Sequence, residues 1–225
     1  MQADLLTSVI LPLSLFLIMY GIGLSLRPAD FRDILKAPKA FAIGVTGQMV
    51  LLPAVAFLLA TAFGLPGVFA VGLIIIALAP GGATSNMFSY LARGDVSLSI
   101  TLTAVVSLVT PFTIPLLTAV AMHHFMGDRT EFHLPVGKAI VQLLVITLIP
   151  VALGMFTLAR WPEWARRIEQ VLKWFSILFL MLIIALIVLK NADNMASFFA
   201  QAGAATLVLN LAVLALGYQL ARWGR

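Results

Sequence analysis

Pro80-Gly81-Gly82-Ala83-Thr84-Ser85-Asn86 interrupts an apolar run that starts at Gly67 and resumes from Met87 to Arg93. Proline has no amide hydrogen and disrupts the helical ladder. Two adjacent glycines remove the steric bar to unwinding. A membrane-spanning helix needs about 20 residues, so the break falls about halfway across a bilayer. Unwound backbone at that depth persists only where protein buries it or where it lines a cavity. Such a break has a use. A half-helix starting near Ser85 offers free amide hydrogens and a positive dipole end, which suit an anion. The preceding carbonyls, with the oxygens of Thr84, Ser85 and Asn86, suit a hard cation such as sodium. The alternative is a simple kink repacked by neighbouring helices.

The surrounding chain places this break in a membrane. Of 225 residues, 62% are hydrophobic and 10% charged, and the mean hydropathy is +1.08. Soluble domains carry about 25% charged residues. Seven apolar runs read as spanning helices, near Leu5–Leu26, Ala40–Phe63, Val68–Arg93, Val96–Met122, Val136–Ala159, Trp174–Leu189 and Gly203–Ala221. None alternates in polarity as barrel strands do. The expected class is therefore an all-α integral membrane protein with one helix broken in mid-membrane.

Charge gives the expected orientation. Arg27, Arg32, Lys36, Lys39, Arg93, Arg160, Arg166, Arg167, Lys173, Arg222 and Arg225 fall in alternate gaps or at the C-terminus, whereas only Arg129, Lys138 and Lys190 fall on the other side. The positive-inside rule puts the N-terminus outside and the C-terminus in the cytoplasm of a cell membrane, inner or plasma. The net charge of +5 thus reports topology and not nucleic-acid binding. The segment Trp161–Lys173 interleaves Trp161, Trp164, Ile168 and Leu172 with Arg166, Arg167 and Glu169, and it reads as an interfacial helix on lipid headgroups.

Polar residues inside the spans are few. Ser99 and Thr103 lie one turn apart on one face, and Thr110 continues their row. They offer oxygens to the break or bond their own helix carbonyls. Gln48 lies well inside the second span, where a buried amide needs partners. It bridges helices or binds an ion. Asn210 is a similar case. No Asp or Glu falls at mid-membrane, and there is no cysteine. A disulfide, a thiolate metal site and a carboxylate proton relay are excluded within these spans. His123, His124 and His133, near Asp128 and Glu131, read as a solvated loop. Gly21 and Gly23 read as a close helix contact.

The run Pro80–Asn86 followed by Tyr90-Leu91-Ala92-Arg93-Gly94-Asp95-Val96-Ser97-Leu98-Ser99 resembles the signature of the bile acid:sodium symporter family. Gly21-Ile22-Gly23-Leu24-Ser25-Leu26-Arg27-Pro28-Ala29-Asp30-Phe31 is similar to the family's first conserved segment, and Gln48 ahead of Pro53 fits as well. The resemblance implies a sodium/proton antiporter-like fold of inverted repeats. A core domain would hold residues of about 40–122 and 203–221, and a panel domain about 5–26 and 136–189. It implies sodium ligands at Ser85, Asn86, Ser99 and Thr103, and at Gln48 for a second ion. Ala83 and Thr84 would stand near an organic anion bound between core and panel, with Pro80, Gly81 and Gly82 forming the break. It also implies a second broken helix carrying an acidic residue, which would follow this chain; relative to the family, the last two helices are missing.

The function that follows is sodium-coupled symport of a small organic anion, a bile acid-like or other carboxylate or sulfonate, by a protein that is not an enzyme. No cofactor is expected beyond sodium as coupling ion, and the partners are the anion, sodium and the bilayer. Three alternatives remain at this level: a carrier of the same fold without sodium coupling, a seven-helix receptor-like protein, and a fragment unable to transport.

Overall fold

The computed structural model describes residues 10–27, 37–127 and 135–224. Among them every regular element is helical. The first is α1, Leu11–Ser25. Next comes α2, Pro38–Ala62, α-helical over Pro38–Thr46 and Leu52–Ala62 and π-helical over Gly47–Leu51. The expected third span is two half-helices, α3 (Gly67–Leu78) and α4 (Ala83–Leu91). They are followed by α5 (Val96–Met126), α6 (Val136–Arg160), α7 (Pro162–Lys190) and α8 (Met195–Gly224).

Helices α2, α5, α6, α7 and α8 are long and apolar enough to cross a membrane, whereas α1 and α3 are shorter apolar helices. The described residues thus carry five full-length spans rather than seven. The third apolar run fails the length test because it is broken. The first is described only from residue 10.

The Trp161–Lys173 segment differs from expectation. It is the first half of a continuous 29-residue helix, α7. Pro162 occupies the first turn, where its missing N–H costs nothing, and no glycine or further proline interrupts the helix before Lys190. Of the expected stripe, Ile168 and Leu172 pack with Ala165 against α1 residues Leu17, Tyr20 and Leu24, whereas Trp161 and Trp164 are exposed.

Contacts divide the chain into two compact units. One takes in α1, α7 and nearly all of α6, within Met1–Ala29 and Ile140–Asp193; the other takes in α2–α5 and α8, within Asp30–Ala139 and Asn194–Arg225. In the first unit α1 and α6 approach at glycines. A Cβ on Gly23 would overlap the Val151 backbone, and one on Gly154 would overlap the backbone of Tyr20 and Gly23. The expected close contact at Gly23 is present. Lipid tails are as apolar as leucine, so helices in a bilayer associate through such tight packing. Across the same contact the Tyr20 hydroxyl donates to Thr157 Oγ1 at 3.0 Å.

The second unit is also built on small residues. Ala56, Ala60, Ala70, Ala77, Ala121 and Ala205 are buried among Leu73, Ile74, Leu78 and Leu209. This core joins the C-terminal half of α2 to α3, α5 and α8. It holds the end of α3 in place and leads the chain into the break.

Candidate functional site

The break is built by backbone. Helix α3 ends at Leu78, and Ala79 is extended at φ −64°, ψ 136°. Gly82 is extended again and precedes α4. Glycine has no side chain, so no cap occupies the α4 N-terminus. The Ser85 amide returns to the Gly82 carbonyl at 3.0 Å, and its hydroxyl donates to the same oxygen at 2.7 Å. Ala83 and Thr84 open α4; their side chains lie outside the described ones.

A tight turn then folds α4 back toward α5. The Gly94 amide donates to the Ser89 carbonyl at 2.8 Å, and Arg93 takes a left-handed φ of 54°. Asp95 caps α5, its carboxylate accepting from the Leu98 amide at 3.0 Å. The Arg93-Gly94-Asp95 tripeptide is thus a turn and a cap. Its result is that Asn86 on α4 meets Ser99 on α5, whose hydroxyl donates to Asn86 Oδ1 at 2.7 Å.

One turn along α5, Thr103 reaches the break itself. A Cβ placed on Gly81 would stand 3.3 Å from Ser85 Oγ, 3.3 Å from Thr103 Oγ1 and 3.9 Å from Gln48 Nε2. Three side chains from α2, α4 and α5 therefore surround one glycine, and only glycine leaves that space open. A half-turn of the Gln48 carboxamide brings its oxygen to the same place. Gln48 sits in the π-helical turn of α2, a feature that composition does not announce; the available signal is Pro53 five residues on.

The structure thus brings Gln48, Ser85 and Thr103 together at Gly81, with the Asn86–Ser99 pair on the same two helices. The remaining candidates are occupied otherwise. Thr110 donates to the Ser107 carbonyl at 3.2 Å, which Pro111 cannot serve because it has no N–H. Asn210 bonds the Thr206 carbonyl of its own helix at 2.9 Å. His124 packs against Phe57 and Phe125, each 4.8 Å away between ring centres. Asp128, Glu131 and His133 lie outside the described residues. No three His, Cys, Asp or Glu side chains come together among the described residues.

The assembled groups are therefore neutral hydroxyl and carboxamide oxygens. Such hard donors suit a weakly held hard cation. Gln48 also stands in the wall of a cavity of about 520 Å³ between α2, α5 and α8, otherwise lined by aliphatic side chains and glycines such as Gly44, Leu98, Leu102 and Gly217.

The chain is similar to known proteins over most of its length. Residues 12–198 match the model of the Sodium Bile acid symporter family. The chain is 30% identical over 179 residues to the uncharacterized sodium-dependent transporter YocS of Bacillus subtilis, covering 80% of this chain and 54% of that one. It is 32% identical over 187 residues to the human hepatic sodium/bile acid cotransporter, covering 83% of this chain and 52% of that one. The mouse P3 protein is 33% identical over 172 residues, covering 76% and 36%. The chain spans about half the length of the first and second of these relatives and about a third of the P3 protein. The chain is a multi-pass helical membrane protein and belongs to the sodium bile acid symporter family.

Proposed function

We propose that this chain forms the ion- and anion-binding part of a secondary transporter that couples sodium to the inward movement of a small carboxylate or sulfonate. The observation that carries the reading is the convergence of Gln48, Ser85 and Thr103 on Gly81 beside the Asn86–Ser99 pair. Their oxygens are the sodium ligands, with Gln48 serving a second ion. The anion lies at the uncapped α4 N-terminus, where amide hydrogens of Ala83 and Thr84 and the helix dipole favour negative charge. The unit of α2–α5 and α8 is the ion-carrying core and that of α1, α6 and α7 the panel, parts of a sodium/proton antiporter-like inverted-repeat fold. The N-terminus is outside and the C-terminus cytoplasmic. The names of the relatives, a sodium-dependent transporter and a sodium/bile acid cotransporter, support sodium and an organic anion as the coupled pair.

The test is thermal unfolding of the purified chain in detergent, titrated with sodium chloride against choline chloride. A ligand that binds only the folded state raises the melting temperature by mass action. The expected result is a sodium-specific rise that Ser85→Ala and Asn86→Ala each abolish. Identical melting in both salts, from a sample with cooperative unfolding, refutes sodium binding by this chain.

A further inference from the structure

Gln48 owes its place to an irregularity in its own helix. In an unbroken α-helix the Leu52 amide would serve the Gln48 carbonyl, four residues back. Here the Leu52 amide bonds the Gly47 carbonyl, five back. The next amide would be that of Pro53, which has none. In regular α-geometry the Pro53 ring would also press on the Met49 carbonyl. Widening to a π-turn relieves that clash, as membrane helices do around proline.

Both flanks of the turn are pinned. On the C-terminal side Pro53 is buried, and Ala56 and Ala60 are each 0% exposed in the core of the unit. On the N-terminal side Gly44 lies against Leu102 of α5, whose Cδ1 is 2.7 Å from where a Cβ would stand. A π-turn holds one residue more than an α-turn. Relative to the fixed C-terminal half, it therefore shifts every preceding side chain by one helical position, about 100°. That shift decides which residue faces the break. With it, Gln48 faces Gly81; without it, the neighbouring position would.

We infer that Pro53 is a positioning residue: it locks the π-turn Gly47–Leu51 and through it sets the Gln48 carboxamide beside Gly81, Ser85 and Thr103. The geometric claim is independent of the proposed function; the sodium readout below rests on that reading.

The chain has no cysteine, so an engineered pair is the only pair. The double variant Gln48→Cys, Thr103→Cys is expected to be bridged by a short bifunctional thiol reagent that spans the space beside Gly81, and adding Pro53→Ala is expected to lose most of the cross-link. Deleting Val50, whose side chain is 62% exposed, in the Pro53→Ala background removes the extra residue, returns the preceding side chains to their place in a regular α-helix, and is expected to restore the cross-link. In the cysteine-free chain, Pro53→Ala is expected to raise the sodium concentration for half-maximal stabilisation about tenfold or more, the usual scale for losing a group that orients a ligand. In a Gln48→Ala background it is expected to add nothing. Pro150→Ala, a buried proline in α6, is the control for general destabilisation and is expected to leave the sodium midpoint unchanged. A cross-link that never forms, or one that survives Pro53→Ala, overturns the inference. So does a Pro53→Ala effect on sodium that persists without Gln48. A cross-link that depends on Pro53 in a chain that ignores sodium upholds the positioning role and refutes the sodium reading instead.

Discussion

Gly81 is the residue on which the proposed ion site turns. Its missing Cβ leaves a space bounded by two hydroxyls at 3.3 Å and a carboxamide at 3.9 Å. Gly81→Ala would press a methyl group against Ser85 Oγ and Thr103 Oγ1, and both would have to give by tenths of an ångström. Sodium-dependent stabilisation is expected to disappear in this variant while melting in choline stays nearly unchanged, since the affected atoms are polar and belong to no apolar core. Thr103→Val tests the same point by subtraction. It keeps the shape and removes one oxygen, and calorimetric titration is expected to register a loss of sodium affinity. Ser99→Ala leaves Asn86 Oδ1 without its donor. It is expected to lower stability by about 1 kcal/mol in denaturant titrations, the net scale of one such hydrogen bond.

At the scale of elements, two joints fix the geometry. Asp95 caps the 31-residue helix α5 and closes the turn that sets Asn86 against Ser99. Asp95→Ala is expected to cost about 1 kcal/mol, as cap removals do, whereas Asp95→Asn or Asp95→Ser is expected to restore most of it. In the other unit, a Cβ on Gly23 would stand 2.9 Å from the Val151 carbonyl carbon. The obstacle is backbone, which cannot rotate away as a side-chain tip can. Gly23→Ala is expected to destabilise the chain by about 1–3 kcal/mol, the range for overpacking, with lower melting in sodium and choline alike. That equality separates it from Gly81→Ala. Helix α7 adds a lesson about amphipathic stripes. Its Ala165 and Leu172 meet α1, while Arg166 and Glu163 pair at 3.1 Å on an exposed face.

At the scale of the whole molecule, the proposed topology has a direct check. Trp161 is 51% exposed and Asn194 is exposed. Single cysteines placed there are expected to react with an impermeant maleimide from opposite sides, Trp161→Cys from the cytoplasm and Asn194→Cys from outside. Labelling of both from one side would refute the orientation. Hydrophobic spans and the Pro80–Gly82 break are legible in the sequence because they are local. An apolar run of sufficient length suits a bilayer, and Pro-Gly-Gly weakens a helix through its own backbone. The family was legible for the same reason, since the Pro80–Ser99 motif is one contiguous stretch of chain. Other features depend on partners distant in the chain. An amphipathic Trp161–Lys173 suits a lipid surface and a neighbouring helix alike, and that Ala165 and Leu172 have α1 as a neighbour emerges only in the packing. Pro53 announces a disturbed ladder, but that the disturbance takes the form of a π-turn depends on Gly44 being pinned to α5 and Ala56 to the core. Gln48 reads simply as a buried amide that needs company. That its company is Ser85 and Thr103 around Gly81 was decided by tertiary structure alone, because residues from three helices meet only where packing brings those helices together.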